Sequence, residues 1–195
     1  MMKRKFQAIS ESGWKKSEIH YSWIDLNDVS PNVPLAIIAS EDQNFKDHYG
    51  FDVSAIQKAM KYNKKHTKKK RGASTLSQQV AKNAFLWEER SWIRKGLELY
   101  FTLLIETFWS KKRILEVYIN IAEMGDKIFG IDQASIHYYK CSPKKLSREQ
   151  SAMIGAVLPN PKRYKVKNPS PYVLKRKGWI LRQMNQIGKE YLKEL

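Results

Sequence analysis

Several carboxylates of this chain stand in company that suits chemistry. Glu41 and Asp42 close an apolar run, Leu35 to Ala39, and precede His48 and Gly50. A carboxylate carried from a buried run to a polar edge is a candidate general base, because partial burial tunes its pKa. The competing reading is an ordinary pair of surface acids at a helix end. Glu98 follows Arg94 by four residues and Lys95 by three, so on a helix all three share a face. That grouping is either a solvated ion pair or a carboxylate held by cations in a site that handles phosphate. Glu116 and Asn120, four apart in an apolar stretch, either line a cleft or satisfy local partners.

A second kind of chemistry is written in Gly72-Ala-Ser-Thr-Leu-Ser-Gln-Gln-Val-Ala-Lys-Asn83. A Gly turn feeding a helix start, with the hydroxyls of Ser74 and Thr75 in front, offers free backbone N–H groups and a positive dipole end to an anion. Gln78, Gln79 and Lys82 add donors along that helix. The Gly-Lys-Ser/Thr spacing of a nucleotide-phosphate loop is absent. A well-capped helix with a polar surface is the plainer account of the same residues.

Helices must carry nearly all of these groups. Pro34 fits the first turn of a helix over Leu35–Ala39. Asp52 is an N-cap for a helix from Val53 to Tyr62, with Val53, Ile56 and Met60 on one face. The run from Lys61 to Arg71 repels itself and reads as an exposed, mobile loop. Ser74 caps a helix from Thr75 to Phe85 with Leu76, Val80 and Ala84 in register. Ser91 caps the clearest one, in which Trp92, Ile93, Leu97, Phe101, Leu104, Ile105 and Phe108 recur every three or four residues. Ser110 opens another through Ile119, Gly125 and Gly130 bracket a turn, and Ser147 with Gln150 makes a capping box before Ala152–Leu158. Pro159 and Pro161 stop that helix, and Pro171 opens the last. The segment up to Asn32, with Trp14, Tyr21 and Trp23, reads as irregular or short extended structure. The class is mainly α, with no β alternation except near the N-terminus.

Composition sets the bounds. The chain has 195 residues, one compact domain or two small lobes, and its 42% hydrophobic content argues against wholesale disorder. With 36 Lys and Arg against 19 Asp and Glu, the net charge of +17 attracts polyanions: nucleic acid, anionic head groups or pyrophosphate. Cys141 is the lone cysteine, so no internal disulfide forms, and no Cys/His spacing marks a metal site. No stretch approaches the roughly 20 apolar residues that span a bilayer, and Met1 to Lys16 lacks the apolar region of a signal peptide.

Taken in order, the motifs resemble the peptidoglycan glycosyltransferases, the family that includes the glycosyltransferase domain of penicillin-binding proteins. Glu41-Asp-Gln-Asn-Phe-Lys-Asp-His-Tyr-Gly50 is similar to the family's E-D-x-x-F-x-x-H-x-G. Gly72 to Asn83 is similar to G-x-S-T-x-[ST]-Q-Q-x-x-K-N. Arg94-Lys95-Gly-Leu-Glu98 matches R-K-x-x-E, and Lys112-Arg-Ile-Leu-Glu116-Val-Tyr-Ile-Asn120 matches [RK]-I-L-E-x-Y-x-N. Arg176-Lys-Gly-Trp-Ile-Leu181 is a weaker fifth. The segment Ser91-Trp-Ile-Arg-Lys-Gly-Leu-Glu98, with the absence of a transpeptidase domain, looks most like the monofunctional biosynthetic branch.

The resemblance implies a lysozyme-like, mainly α fold over 1–195: a larger globular lobe and a small membrane-proximal lobe, drawn from about 53–90, flanking a cleft. By position Glu41 is the general base, and Glu98 the second catalytic carboxylate. Ser74, Thr75, Gln78, Gln79, Lys82, Arg94, Lys95 and Arg176 bind the substrate's sugars and pyrophosphate. Asp42, His48, Glu116 and Asn120 shape the cleft. No cofactor is required; a divalent metal (Mg or Mn), held through Glu98, is compatible with the leaving pyrophosphate. The implied partners are lipid II, the growing lipid-linked glycan, an anionic membrane surface and other cell-wall synthesis proteins, and not nucleic acid. The implied location is the outer, periplasmic face of the cytoplasmic membrane, with an N-terminal anchor that this chain does not include. Asn44 stands where many members carry a base, while Ala73 and Ser77 replace the commoner Gly and Thr. Two rival readings are a wall-degrading enzyme on the same scaffold, which leaves the Gln-Gln-Lys and Arg-Lys-Glu motifs without a task, and a basic nucleic-acid-binding helical protein, for which no signature is present. A catalytically dead scaffold is a third, opposed by the intact Glu41 and Glu98.

Overall fold

A computed structural model describes residues 21–66, 70–87, 89 and 91–195. The reading of the first twenty residues as irregular lies outside them. The described chain is mainly helical, as expected, with helices α1 Asn32–Glu41, α2 Val53–Lys65, α3 Leu76–Phe85, α4 Trp92–Phe108, α5 Lys111–Ile121, α6 Ile131–Tyr139, α7 Arg148–Val157 and α8 Pro171–Ile187. A two-stranded antiparallel hairpin, β1 Glu123–Gly125 and β2 Ile128–Phe129, sits between α5 and α6.

The core is organised around α1. Val33 through Ala39 are all buried, so this helix is apolar on every side. Val33, Ile37 and Ile38 pack with Leu76, Val80, Ile114, Leu115 and Ile119 from α3 and α5. Leu35, Ala36 and Ala39 pack with Ala152, Ala156, Val157, Val173, Ile180 and Met184 from α7 and α8. Gly155 lets α7 come this close, since a Cβ there would meet the Ala36 carbonyl oxygen and Ser40 Oγ at 3.3 Å. The central helix therefore ends at Glu41 with its flanks fixed by four others.

Helix starts follow their caps. Asp52, Ser91, Ser110 and Ser170 each accept the N–H three residues on, and Ser147 makes its capping box with Gln150. One cap is displaced: Thr75, not Ser74, is the N-cap of α3, and it forms a reciprocal capping box with Gln78. Two further expectations are corrected. The basic run does not begin as a loop, because α2 continues through Lys65; cations in a last turn are favoured by the helix dipole, which offsets their repulsion. The apolar residues of α2 and α4 do not all face the core. Ala59 is the buried residue of α2 while Val53 and Met60 are exposed, and α4 buries Glu98, Thr102 and Ile105 while Trp92, Ile93 and Phe108 face out. Of α3's stripe, Leu76 and Val80 are buried and Ala84 is exposed.

Candidate active site

The end of α1 opens into a cleft of about 570 Å³ lined by Ser40, Glu41, Asn44, Asp52, Lys58, Lys70, Arg71, Ser74, Thr75, Gln79, Pro159, Tyr172, Arg176 and Trp179, among others. Glu41 is held there from two sides. Gln79 Nε2 donates to Glu41 Oε2 at 3.0 Å, and Arg176 Nη2 lies 3.3 Å from Oε1 while also donating to the Ser40 carbonyl at 3.1 Å. Burial lifts the Glu41 carboxyl above its ordinary pKa, and the charge of Asp42 pushes the same way; the Gln79 N–H and the Arg176 guanidinium pull it partly back. Such a carboxylate is held in place yet remains basic, as a proton acceptor must be.

Asp42 and His48 build the support beneath it. His48 Nε2 lies 3.0 Å from both Asp42 oxygens, and Asp42 Oδ2 accepts the Leu76 N–H at 2.9 Å. This joins the end of α1 to the start of α3, which places Gln79 one turn along. Thr75 Oγ1 donates to the Gly50 carbonyl at 2.6 Å, tying the same helix start to the loop after His48. Gly50 has φ +81°, and a Cβ there would lie 2.6 Å from Thr102 Cγ2, so only glycine fits between this loop and α4. Asn44 also has work in the loop: its Nδ2 donates to Asp52, the cap of α2, at 2.8 Å.

Thus Glu41, Asp42, Ser74, Thr75, Gln79 and Arg176 meet in one cleft. The other sequence candidates lie elsewhere. Gln78 is buried and committed to the Thr75 capping box. Lys82, Arg94, Lys95 and Glu98 lie along α3 and α4, outside the cleft's lining. There Lys95 Nζ meets the buried Glu98 carboxylate at 2.5 Å, and Arg94 Nε is buried with no hydrogen-bond partner among the described residues. Glu116 and Asn120 do not shape the cleft. Glu116 Oε2 accepts the Leu26 N–H at 3.1 Å, and Asn120 exchanges bonds with the Ile24 N–H and carbonyl at 2.9 and 2.8 Å, so both hold the extended segment before α1 against α5.

For a metal, Glu98 was the sequence candidate. No group of three His, Cys, Asp or Glu converges among the described residues, and Lys95 already engages the Glu98 carboxylate. These side chains do not by themselves make a cation cage.

Sequence reasoning missed two groups. Tyr118 on α5 donates to Gln79 Oε1 at 3.3 Å. Glu106 and Lys111 form a buried pair at 2.8 Å; Ser77 Oγ donates to Glu106 and Lys111 to the His48 carbonyl. Tyr118 had a signal, since it falls in the same motif as Glu116 and Asn120. Glu106 and Lys111 had none, because they become neighbours only when α4 and α5 fold back.

The chain is similar to known proteins over most of its length. A family model described as Transglycosylase matches residues 7–185. The chain is 56% identical over 178 residues to a biosynthetic peptidoglycan transglycosylase of Haemophilus influenzae, covering 91% of this chain and 72% of that one. It is 54% identical over 183 residues to the like-named protein of Salmonella schwarzengrund, covering 92% and 76%. To that of Escherichia coli K12 it is 55% identical over 171 residues, covering 88% and 71%.

Proposed function

The chain belongs to the transglycosylase family and is a peptidoglycan glycosyltransferase, and from that premise we propose that it polymerises lipid II by a single inverting displacement with Glu41 as general base. The observation that carries this is the position of Glu41: at the end of a buried helix, in the cleft, between an amide donor and a guanidinium, with its pKa raised. Glu41 takes the proton from the 4-hydroxyl of the acceptor sugar. The oxygen attacks the anomeric carbon of the donor, the bond to pyrophosphate breaks, and an α-linked donor becomes a β-1,4 product. One base suffices, so the paired carboxylates of a hydrolase are not needed.

The leaving polyprenyl pyrophosphate develops negative charge that fixed cations stabilise. Arg94, Lys95 and Lys82 are assigned to it, with Glu98 orienting Lys95. Ser74 and Thr75 serve the sugars at the cleft wall, and Arg176 holds the base.

The enzyme acts on the cell wall, and its substrate is lipid-linked. No described helix is long and apolar enough to cross a membrane. An apolar surface is nevertheless concentrated on one part of the chain: Tyr49, Val53, Met60, Phe85, Trp92, Ile93, Leu99, Tyr100, Leu103 and Phe108 are all exposed. Exposed apolar side chains in this number suit a partner that is itself apolar. With a net charge of +17, it fits a small lobe, built from about 53–90 and α4, that rests on anionic lipid at the outer face of the cytoplasmic membrane.

The test is polymerisation of fluorescent lipid-linked disaccharide in detergent by the parent and by Glu41→Gln. Polymer from the parent and a loss of about 10²–10⁴-fold in the folded variant are expected. Equal activity in both would remove Glu41 from the role of base.

A further inference from the structure

Gln79 presents two chemically opposite atoms on one flat group. Its Nε2 donates and its Oε1 accepts, and a half-turn about the last bond exchanges them. Only the donor suits Glu41. With Nε2 forward, the carboxylate gains a hydrogen bond that stabilises its charged form; with Oε1 forward, two oxygens oppose each other.

The structure holds Nε2 forward, at 3.0 Å from Glu41 Oε2. What fixes the other end is Tyr118, fully packed in α5, whose hydroxyl donates to Gln79 Oε1 at 3.3 Å. With Nε2 toward Glu41 both contacts are made at once, whereas a flipped amide sets Oε1 against the carboxylate and takes from the Tyr118 hydroxyl proton the acceptor it has here, so the hydroxyl favours the orientation seen. We propose that Tyr118 is a positioning residue for the catalytic base: through Gln79 it keeps an N–H, rather than a carbonyl, against Glu41. This rests on the assignment of Glu41 as the base.

Two observations support it. Burial raises the Tyr118 phenol well above its ordinary pKa, and the Glu41 charge adds to the rise, so the hydroxyl keeps its proton throughout the working range. The charged groups that act on Glu41 are Arg176 from α8 and Asp42 beside it, whose carboxylate is engaged by His48 and the Leu76 N–H, while Asp52, Lys58, Lys70 and Arg71 line the same cleft. Neither is altered by a change at Tyr118.

The experiment is the pH dependence of polymerisation rate for the parent, Tyr118→Phe, Gln79→Met and the double variant. Activity requires ionised Glu41, so it rises with pH along an acid limb. Losing the oriented N–H moves that limb upward. About half a pH unit is expected for Tyr118→Phe, read as about a threefold lower rate at a pH on the limb. Gln79→Met shifts the limb at least as far, and the double variant no further than Gln79→Met alone, because Tyr118 acts through Gln79. A rate that falls equally at every pH with the limb unmoved overturns the proposal, and so do shifts that simply add. Glutamine-labelled parent protein supplies a readout that needs no variant. A fixed Gln79 side-chain amide gives slowly exchanging resonances that shift as Glu41 titrates, whereas solvent-like resonances overturn the proposal. If Glu41→Gln is as active as the parent, the assignment of the base fails, and this proposal fails with it.

Discussion

The Asp42 carboxylate caps a helix it does not belong to, accepting the Leu76 N–H at the start of α3 at 2.9 Å. A negative charge at a helix N-terminus satisfies an orphan donor and meets the positive end of the dipole. The same carboxylate meets His48 Nε2 at 3.0 Å. One side chain thereby locks three pieces of chain around the residue next to it, Glu41. Asp42→Ala leaves both partners unsatisfied, and a loss of about 2–4 kcal/mol in urea unfolding is expected. Asp42→Asn, which keeps one acceptor oxygen, costs about half of that.

Glu41 makes the opposite contribution to stability. Its folded pKa is raised above the ordinary 4.5 by burial, so the folded state binds more protons than the unfolded one above that value. The stability that protonated Glu41 supplies is complete below the unfolded pKa and is lost as pH rises through the folded pKa. Glu41→Gln is therefore expected to melt higher than the parent at pH 7 while losing its activity. The gap between the two should close as pH falls toward 4.5. Thermal unfolding at several pH values checks this, and a variant that melts lower at pH 7 contradicts it.

Glu106 and Lys111 are a buried pair, with side chains 5% and 16% exposed. Removing one charge strands the other, so Glu106→Ala should cost about 3–5 kcal/mol. Replacing both by Met removes the stranded charge and should cost less than either single change. A double-mutant cycle by chemical unfolding measures the difference. Because Lys111 also donates to the His48 carbonyl, the single variants should in addition weaken polymerisation.

The exposed apolar face of α4 is expected to bind lipid. Replacing Trp92, Leu99 and Leu103, which share one side of α4, by Ser together should reduce association with anionic vesicles at least tenfold, since each such side chain contributes on the order of 1.5–3 kcal/mol when fully buried. Binding of the parent should also weaken with salt, as the basic surface is screened. Co-sedimentation with vesicles reads both effects. Unchanged binding by the triple variant would move the membrane-facing surface elsewhere.

Much of this architecture is legible in the chain because local rules and the fold agree. Caps at Asp52, Ser91, Ser110 and Ser147 are read from residue type, and each works as one. What stays hidden has a physical cause in each case. α6 begins after Gly130, which has φ +79° and no side chain to cap with, so it gives no start signal. The β1–β2 hairpin has strands of three and two residues, too short to show alternation. Periodicity in α4 is real, yet it marks a helix apolar around most of its circumference, and the pattern cannot say which face packs. The cleft is similar: motifs locate Glu41 and Gln79, but that Asn120 holds Ile24 rather than lining the cleft follows only from how the chain returns on itself.

Arg176 reaches Glu41 across 135 positions of chain. That guanidinium thus belongs to α8, while the carboxylate it meets ends α1, the first helix among the described residues to carry the core. A growing polypeptide acquires Glu41 early and its counter-charge late, so the reactive centre comes into being only after α8 has been made and has docked on α1. A chain cut short before α8 would keep the motifs that carry Glu41 and Gln79, yet lack the guanidinium that meets Glu41.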